Sequence, residues 1–338
     1  MSPNHTPSAY AAMLVADPEL QTEAIELSYT DPHTPARNLL ARIAPALGSN
    51  LYRLRAGEHE LIYHDRQNLL EHGHTGTFVL WPFPNRVRDA RYTYRGQQYT
   101  FANVPRKGPL IHGLVFDRAW THDQLTADEK QASVTTTVEM NADQPYFEAY
   151  PFPSRLSLTY VLTSEGLTVT YTVKNTGEQT LPTGFALHPY FTLLGQHGQT
   201  SVTLPADRVM EADEGLLPTG RLLDVHSTMY AMFDLNQPTP VSQLKLDHVY
   251  TNLPAQHEAL IEYHDLGLRV HLATSEDFTH AVIYTPAQSP FFCLENQTCS
   301  TDAINLHQRG MQDIAHLLEV QPGEQVSGFI RYAIEQNA

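Results

Sequence analysis

Residues 156–173 read LSLTYVLTSEGLTVTYTV. Leu156, Leu158, Tyr160 and Leu162 alternate with mainly polar residues, and Leu167, Val169, Tyr171 and Val173 alternate again after Ser164-Glu165-Gly166. Successive side chains of a strand point to opposite faces, so a period of two buries one face and leaves the other wet. Thr, Val and Tyr favour that pleated, half-buried surface. The stretch predicts an antiparallel hairpin turning at residues 164–166.

The same pattern extends outward in both directions. Ser133–Met140 (SVTTTVEM) alternates Thr and Val. LYRLRA and ELIYH flank a turn at Gly57-Glu58, and ARYTYRGQQYTF (90–101) folds about Arg95-Gly96, so both predict hairpins. Further strands are expected at Ser201–Leu204, Ala259–Tyr263, Leu268–Thr274, Ala281–Thr285, Phe291–Glu295 and Gly328–Ile334. Helical signals are weak. Asp17-Pro18-Glu19 predicts a short N-terminal helix with Asp at the N-cap, and Gln308–Leu317 is the other candidate. The 23 prolines and 18 glycines punctuate strands and pool into no linker, which favours one domain despite 338 residues. The expectation is an all-β fold, a large antiparallel β-sandwich over residues 36–338, preceded by an N-terminal extension, 1–35, of uncertain structure.

With 37 acidic against 21 basic residues the formal charge is -16. Nucleic acid and anionic membrane surfaces need a positive footprint, so neither is expected as a partner. Two cysteines, Cys293 and Cys299, make neither a disulfide framework nor a zinc ribbon and read as free thiols. The N-terminus lacks a basic region followed by an apolar run, and no stretch reaches the length of a membrane span. A cytoplasmic protein is expected, as a monomer or homodimer.

Five polar points stand in apolar or turn-rich settings: Asn85-Arg86, His112-Gly113, His188, Asp247 and Glu295. In PFFCLENQTCSTD, alternation puts Glu295 on one face with Phe291 and Cys293, where an ionised carboxylate needs a partner. His188 precedes Pro189, and proline cannot continue a central strand, so it marks a strand end, where sites gather. Each point also has a structural reading: Arg86 as a solvated arginine beside Arg88 and Arg91, His112 as a core histidine, Asp247 as a turn residue, Glu295 as a solvated strand end. His72-Gly73-His74 is an isolated H-x-H, and no metal site, serine-nucleophile motif or phosphate-binding glycine loop is expected.

In their order, PNRV, HG, ALHPYF, GLLPTG followed by Asp247, and FFCLENQT with DAINL resemble the aldose 1-epimerase (galactose mutarotase) family. The resemblance runs from about Ile43 to the C-terminus. Leu114 after the HG pair and His248 after Asp247 depart from the family pattern. The resemblance implies a galactose mutarotase-like supersandwich that interconverts the anomers of free aldohexoses without a cofactor. It implies Glu295 as base and His188 as acid, with Arg86, His112, Asp247, Asn85 and, more weakly, Tyr190 around the monosaccharide. An ordinary Glu is ionised and an ordinary His partly protonated at neutral pH, and a nearby carboxylate favours the imidazolium. Three rival readings share these residues. One is a hexose-6-phosphate epimerase, with Arg88, Arg91, Arg106 and Lys107 near the phosphate. Another is a sugar-binding sandwich without catalysis. The third is a glycosidase using Asp247 and Glu295.

Overall fold

The computed structural model describes residues 8–101, 104, 110–196, 198–255 and 257–336. Strands dominate, and every strand pair is antiparallel. The hairpin at 156–173 forms as expected, between strands Ser154–Thr163 and Gly166–Asn175. Its register sets Leu156 against Val173, Leu158 against Tyr171, Tyr160 against Val169 and Leu162 against Leu167, so like meets like on the buried face. Gly166 closes the turn at φ 141°, and a Cβ there would lie 1.9 Å from the Tyr332 carbonyl oxygen, so only glycine fits. The strand Gln325–Gln336 pairs with this hairpin and carries it into a ten-stranded sheet.

A second sheet of seven strands runs in spatial order Pro218–Asp224, Arg208–Ala212, Asp247–Thr251, His280–Tyr284, Phe291–Gln297, Ala186–Thr192 and Thr77–Leu80. Its two faces do different jobs. Val79, Leu187, Phe191, Ile283, Phe292 and Leu294 point one way and join the main core with the ten-stranded sheet. Phe191 meets Tyr332 of the large sheet at 6.3 Å between ring centroids. Phe78, Tyr190, Phe291 and Cys293, the alternate residues, form a separate cluster on the opposite face. That face also carries His188 and Glu295. The expected strands form, except that ELIYH is in a strand only at Glu60, within His59–Glu60, and both cysteines are buried free thiols. No described helix is long and apolar enough to cross a membrane.

The predicted N-terminal helix does not form. Tyr10–Asp17 and Thr22–Tyr29 make a hairpin, and Asp17 caps its turn. The Asp17 carboxylate accepts from the backbone N–H groups of Glu19 (2.9 Å) and Leu20 (3.2 Å). Asp-Pro suits the start of a helix or the start of a turn, and here the turn wins because strand pairing is available on both sides. The hairpin adds to Leu39–Ala44, Asn50–Ala56 and His59–Glu60 in a five-stranded sheet. Asp17 also accepts from the buried Tyr52 hydroxyl at 2.6 Å. Burial raises the Asp17 pKa, but these hydrogen bonds and Arg42 outweigh it and hold the group below 3.8. Its stabilisation is therefore present above that value and lost as pH falls through the depressed one. Asp17→Ala strands the Tyr52 hydroxyl and should cost about 1–3 kcal/mol in urea unfolding at pH 7. An unchanged unfolding midpoint would show that the hairpin is an appendage without weight in the fold.

Candidate active site

Strand register builds the centre of the site; the strand Ala186–Thr192 runs on through Pro189 between two neighbours, so His188 lies mid-strand and not at the strand end expected from the proline. Ala186 pairs with Gln297 and Tyr190 with Cys293, so His188, midway, lies opposite Glu295. Both side chains rise from the pocket face, and His188 Nε2 is 3.2 Å from Glu295 Oε1. His188 is 4 % exposed and Glu295 2 %. The Gln297 amide donates to the other Glu295 oxygen at 3.4 Å. The Tyr190 ring stacks on His188 at 4.6 Å, which fixes the imidazole plane. The His112 ring meets His188 edge-on at 4.9 Å.

Two loops close over this pair. The His112 N–H donates to the Asn85 carbonyl at 2.8 Å, and Arg86 bridges to Ile111. Asn85 (φ 56°) and His112 (φ 67°) both hold the left-handed backbone that non-glycine residues rarely adopt. Strain of that kind collects where a site over-determines its backbone. Gly113 follows at φ 73°, and a Cβ there would sit 2.2 Å from the Trp81 carbonyl oxygen, which accounts for glycine in the HG pair. Arg86 Nη1 donates to Asn85 Oδ1 at 3.1 Å, so the guanidinium is held half-buried beside its neighbour rather than loose in solvent. Asp247 opens its strand two positions across the sheet from the Glu295 strand. It lines a small pocket together with Asn85, Arg86, Leu216 and His248.

All seven residues singled out in the sequence thus converge. Sequence reasoning gave no role to several others. Asp302 and Asn305 of DAINL clamp the Asn85-Arg86 loop: the Asp302 N–H donates to the Arg86 carbonyl (3.0 Å), and its carboxylate accepts from the Arg88 N–H (3.1 Å). Asn305 donates to the Arg91 carbonyl at 2.9 Å. His74 joins the aromatic wall, 5.8 Å from Tyr190 and 6.0 Å from Phe291. Gln297 lies two residues beyond Glu295 on the same face, and alternation alone was enough to find it.

The protonation expected from ordinary pKa values is overturned. Burial pulls the His188 pKa down to about 3, reinforced by His74. Burial pushes Glu295 well above the usual carboxylate range, and the negative charge of Asp247 adds to it; Gln297 and Arg86 oppose it. Burial is the first cause for both groups, and it favours a neutral carboxylic acid against a neutral imidazole, with one proton between them.

The fold is of the galactose mutarotase type. The aldose 1-epimerase family profile matches residues 37–333, and the chain belongs to that family. The uncharacterised protein YihR of Escherichia coli K12 is 28% identical over 67% of this chain and 71% of that protein. Galactose mutarotase of Mus musculus is 32% identical over 46% of this chain and 43% of that protein. Among solved structures, a galactose mutarotase-like protein from Clostridium acetobutylicum superposes with a TM-score of 0.82, at 20% identity, covering 97% of this chain and 98% of that one. Galactose 1-epimerase from Lactobacillus acidophilus superposes with a TM-score of 0.74 at 16% identity, over 97% of this chain and 100% of that one. At these identities the superpositions establish the fold.

Proposed function

We propose that the protein interconverts the α and β anomers of free aldohexoses such as galactose and glucose, using Glu295 and His188 and no cofactor. The 3.2 Å contact between the two carries the reading. A hemiacetal has its hydroxyl oxygen and its ring oxygen on one carbon, so an acid and a base that serve both must sit side by side. Ionised Glu295 takes the proton from the anomeric hydroxyl while protonated His188 gives its proton to the ring oxygen. The bond from the anomeric carbon to the ring oxygen breaks, and an aldehyde and a free hydroxyl form. The aldehyde rotates, and closure runs the same transfers in reverse onto the other face. Ring opening leaves Glu295 protonated and His188 neutral, which is the state that burial favours. One proton transfer from Glu295 to His188 forms the ionic pair before opening, and closure returns that ionic pair, which relaxes by the reverse transfer.

In this reading Asp247, Arg86, Asn85 and His112 hold sugar hydroxyls, and Tyr190 braces His188. The phosphosugar reading draws on Arg88, whose guanidinium is engaged by Asp213 at 2.9 Å. Arg106 and Lys107 lie outside the described residues. Glucose 6-phosphate competing with galactose at micromolar concentration would shift the reading to that substrate.

The shared proton predicts a distinctive pH profile. Its count does not change between the depressed His188 pKa and the raised Glu295 pKa. For galactose, kcat/KM followed by polarimetry should therefore fall on the acid side only toward about 3, as far as the protein remains folded, and on the alkaline side through the raised Glu295 value. An acid-side fall near 6.5, the value of an ordinary imidazole, would contradict the assignment of a buried neutral His188.

A further inference from the structure

Gln297 is a polar side chain kept where an apolar one would fit. It is fully buried at the end of the strand Phe291–Gln297 and, two residues beyond Glu295, lies on the same face. Its register partners are Ala186 on one side and His280 on the other. Among the described residues, its one side-chain hydrogen bond is the donation from Nε2 to Glu295 Oε2 at 3.4 Å, and its Oε1 has no partner. Burying an amide with an orphan oxygen costs stability. A side chain of the same length without the amide avoids that cost, so the reason for glutamine lies in the group it touches. Glu295 Oε1 faces His188 Nε2 at 3.2 Å, and Oε2 accepts from Gln297. The terminal torsion of a glutamate is broad, so contacts at both oxygens are what fix the carboxylate plane. An ionised carboxylate offers about four lone-pair sites, so Oε2 can hold the amide and still accept a proton.

We propose that Gln297 is a positioning residue for the reaction: its amide pins the Glu295 carboxylate in the plane in which one oxygen meets His188 and the other takes the anomeric proton. The inference rests on the epimerase reading. Gln297 acts through Glu295 and not on the sugar, so its effect belongs in kcat rather than KM. The same donation favours the ionised carboxylate, against burial first and the charge of Asp247 second. His188 and Tyr190 face Glu295 from the strand Ala186–Thr192, Asp247 from the strand Asp247–Thr251, and Arg86 from its loop. Cys293 shares the Glu295 strand, and Tyr284 and His280 on the next strand pair with Cys293 and Gln297. Substitution at 297 leaves all of these in place, so a change in the titration of Glu295 reports the amide itself.

The test is polarimetry of galactose across pH for the wild type, Gln297→Met and Gln297→Glu, with thermal unfolding of each. Methionine keeps the length and loses the donor. Gln297→Met should lower kcat about 10–100-fold, change KM less than about threefold, and unfold at the same temperature or higher. Loss of the donor raises the Glu295 pKa further, so the alkaline fall in kcat/KM should move to higher pH. Gln297→Glu should move it the other way: two adjacent carboxyl groups share their first ionisation, which therefore comes at lower pH. Near-normal kcat in a folded Gln297→Met variant overturns the proposal and leaves the epimerase reading intact. An equal loss in both variants with the alkaline fall unmoved overturns it too, since packing alone would do that. So does a Gln297→Met chain that no longer folds, because glutamine would then serve the fold. A wild type that does not accelerate galactose mutarotation overturns both readings.

Discussion

Glu295→Gln should lose about 10²–10⁴-fold in kcat for galactose mutarotation while keeping the fold. Glutamine has the shape of the buried carboxyl group and can still contact His188 and Gln297, but it can neither accept nor return a proton. Its effect on stability separates chemistry from folding. The Glu295 pKa is raised in the folded protein, so its contribution to stability is complete below about 4.5, the unfolded value, and is lost as pH rises through the folded one. At neutral pH the ionisable carboxyl group is thus a cost to the fold, and Glu295→Gln should unfold at the same temperature or higher. A variant that loses activity together with its thermal transition would assign Glu295 a structural role. A stable variant with near-normal kcat would remove it from the mechanism.

His188→Asn is expected to show a loss of similar size, about 10²–10⁴-fold in kcat, with KM changed far less. Asparagine keeps a polar group beside Glu295 but cannot carry a proton between the pair and the ring oxygen. It is smaller than histidine, so the Tyr190 ring loses its stacking partner and a modest fall in stability follows. The double variant is the sharper comparison. Groups that act as one unit are non-additive, so His188→Asn with Glu295→Gln should lose about what either single change loses. Losses that multiply would mean two independent contributions rather than one shared proton.

Much of this site was legible in the sequence because it depends on alternation. Phe291, Cys293 and Glu295 on one face follow from period two, whereas the strand end expected at His188 does not form, because the strand Ala186–Thr192 runs on through Pro189. Strand order did not follow. Nothing local to Asp247 places its strand two positions from that of Glu295, yet that neighbour helps to raise the Glu295 pKa. The direction of the pKa shifts was hidden for the same reason. Ordinary values assume an exposed group, and the segments that bury His188 are as distant as His74 and His112. Asp17-Pro18 shows the remaining limit: its chemistry suits a helix start and a turn equally, and only the partner strands decide. Asp302 and Asn305 were visible as a motif, but their work is done on the backbone of residues 86–91, over two hundred positions away.

The most direct measurement is the optical rotation of freshly dissolved α-D-galactose and α-D-glucose, with and without the wild-type protein, at low buffer concentration. The account predicts faster decay to an unchanged final rotation, with a rate proportional to protein concentration for at least one of the two sugars. Decay that matches the spontaneous rate for both, from a sample shown to be folded, would contradict it.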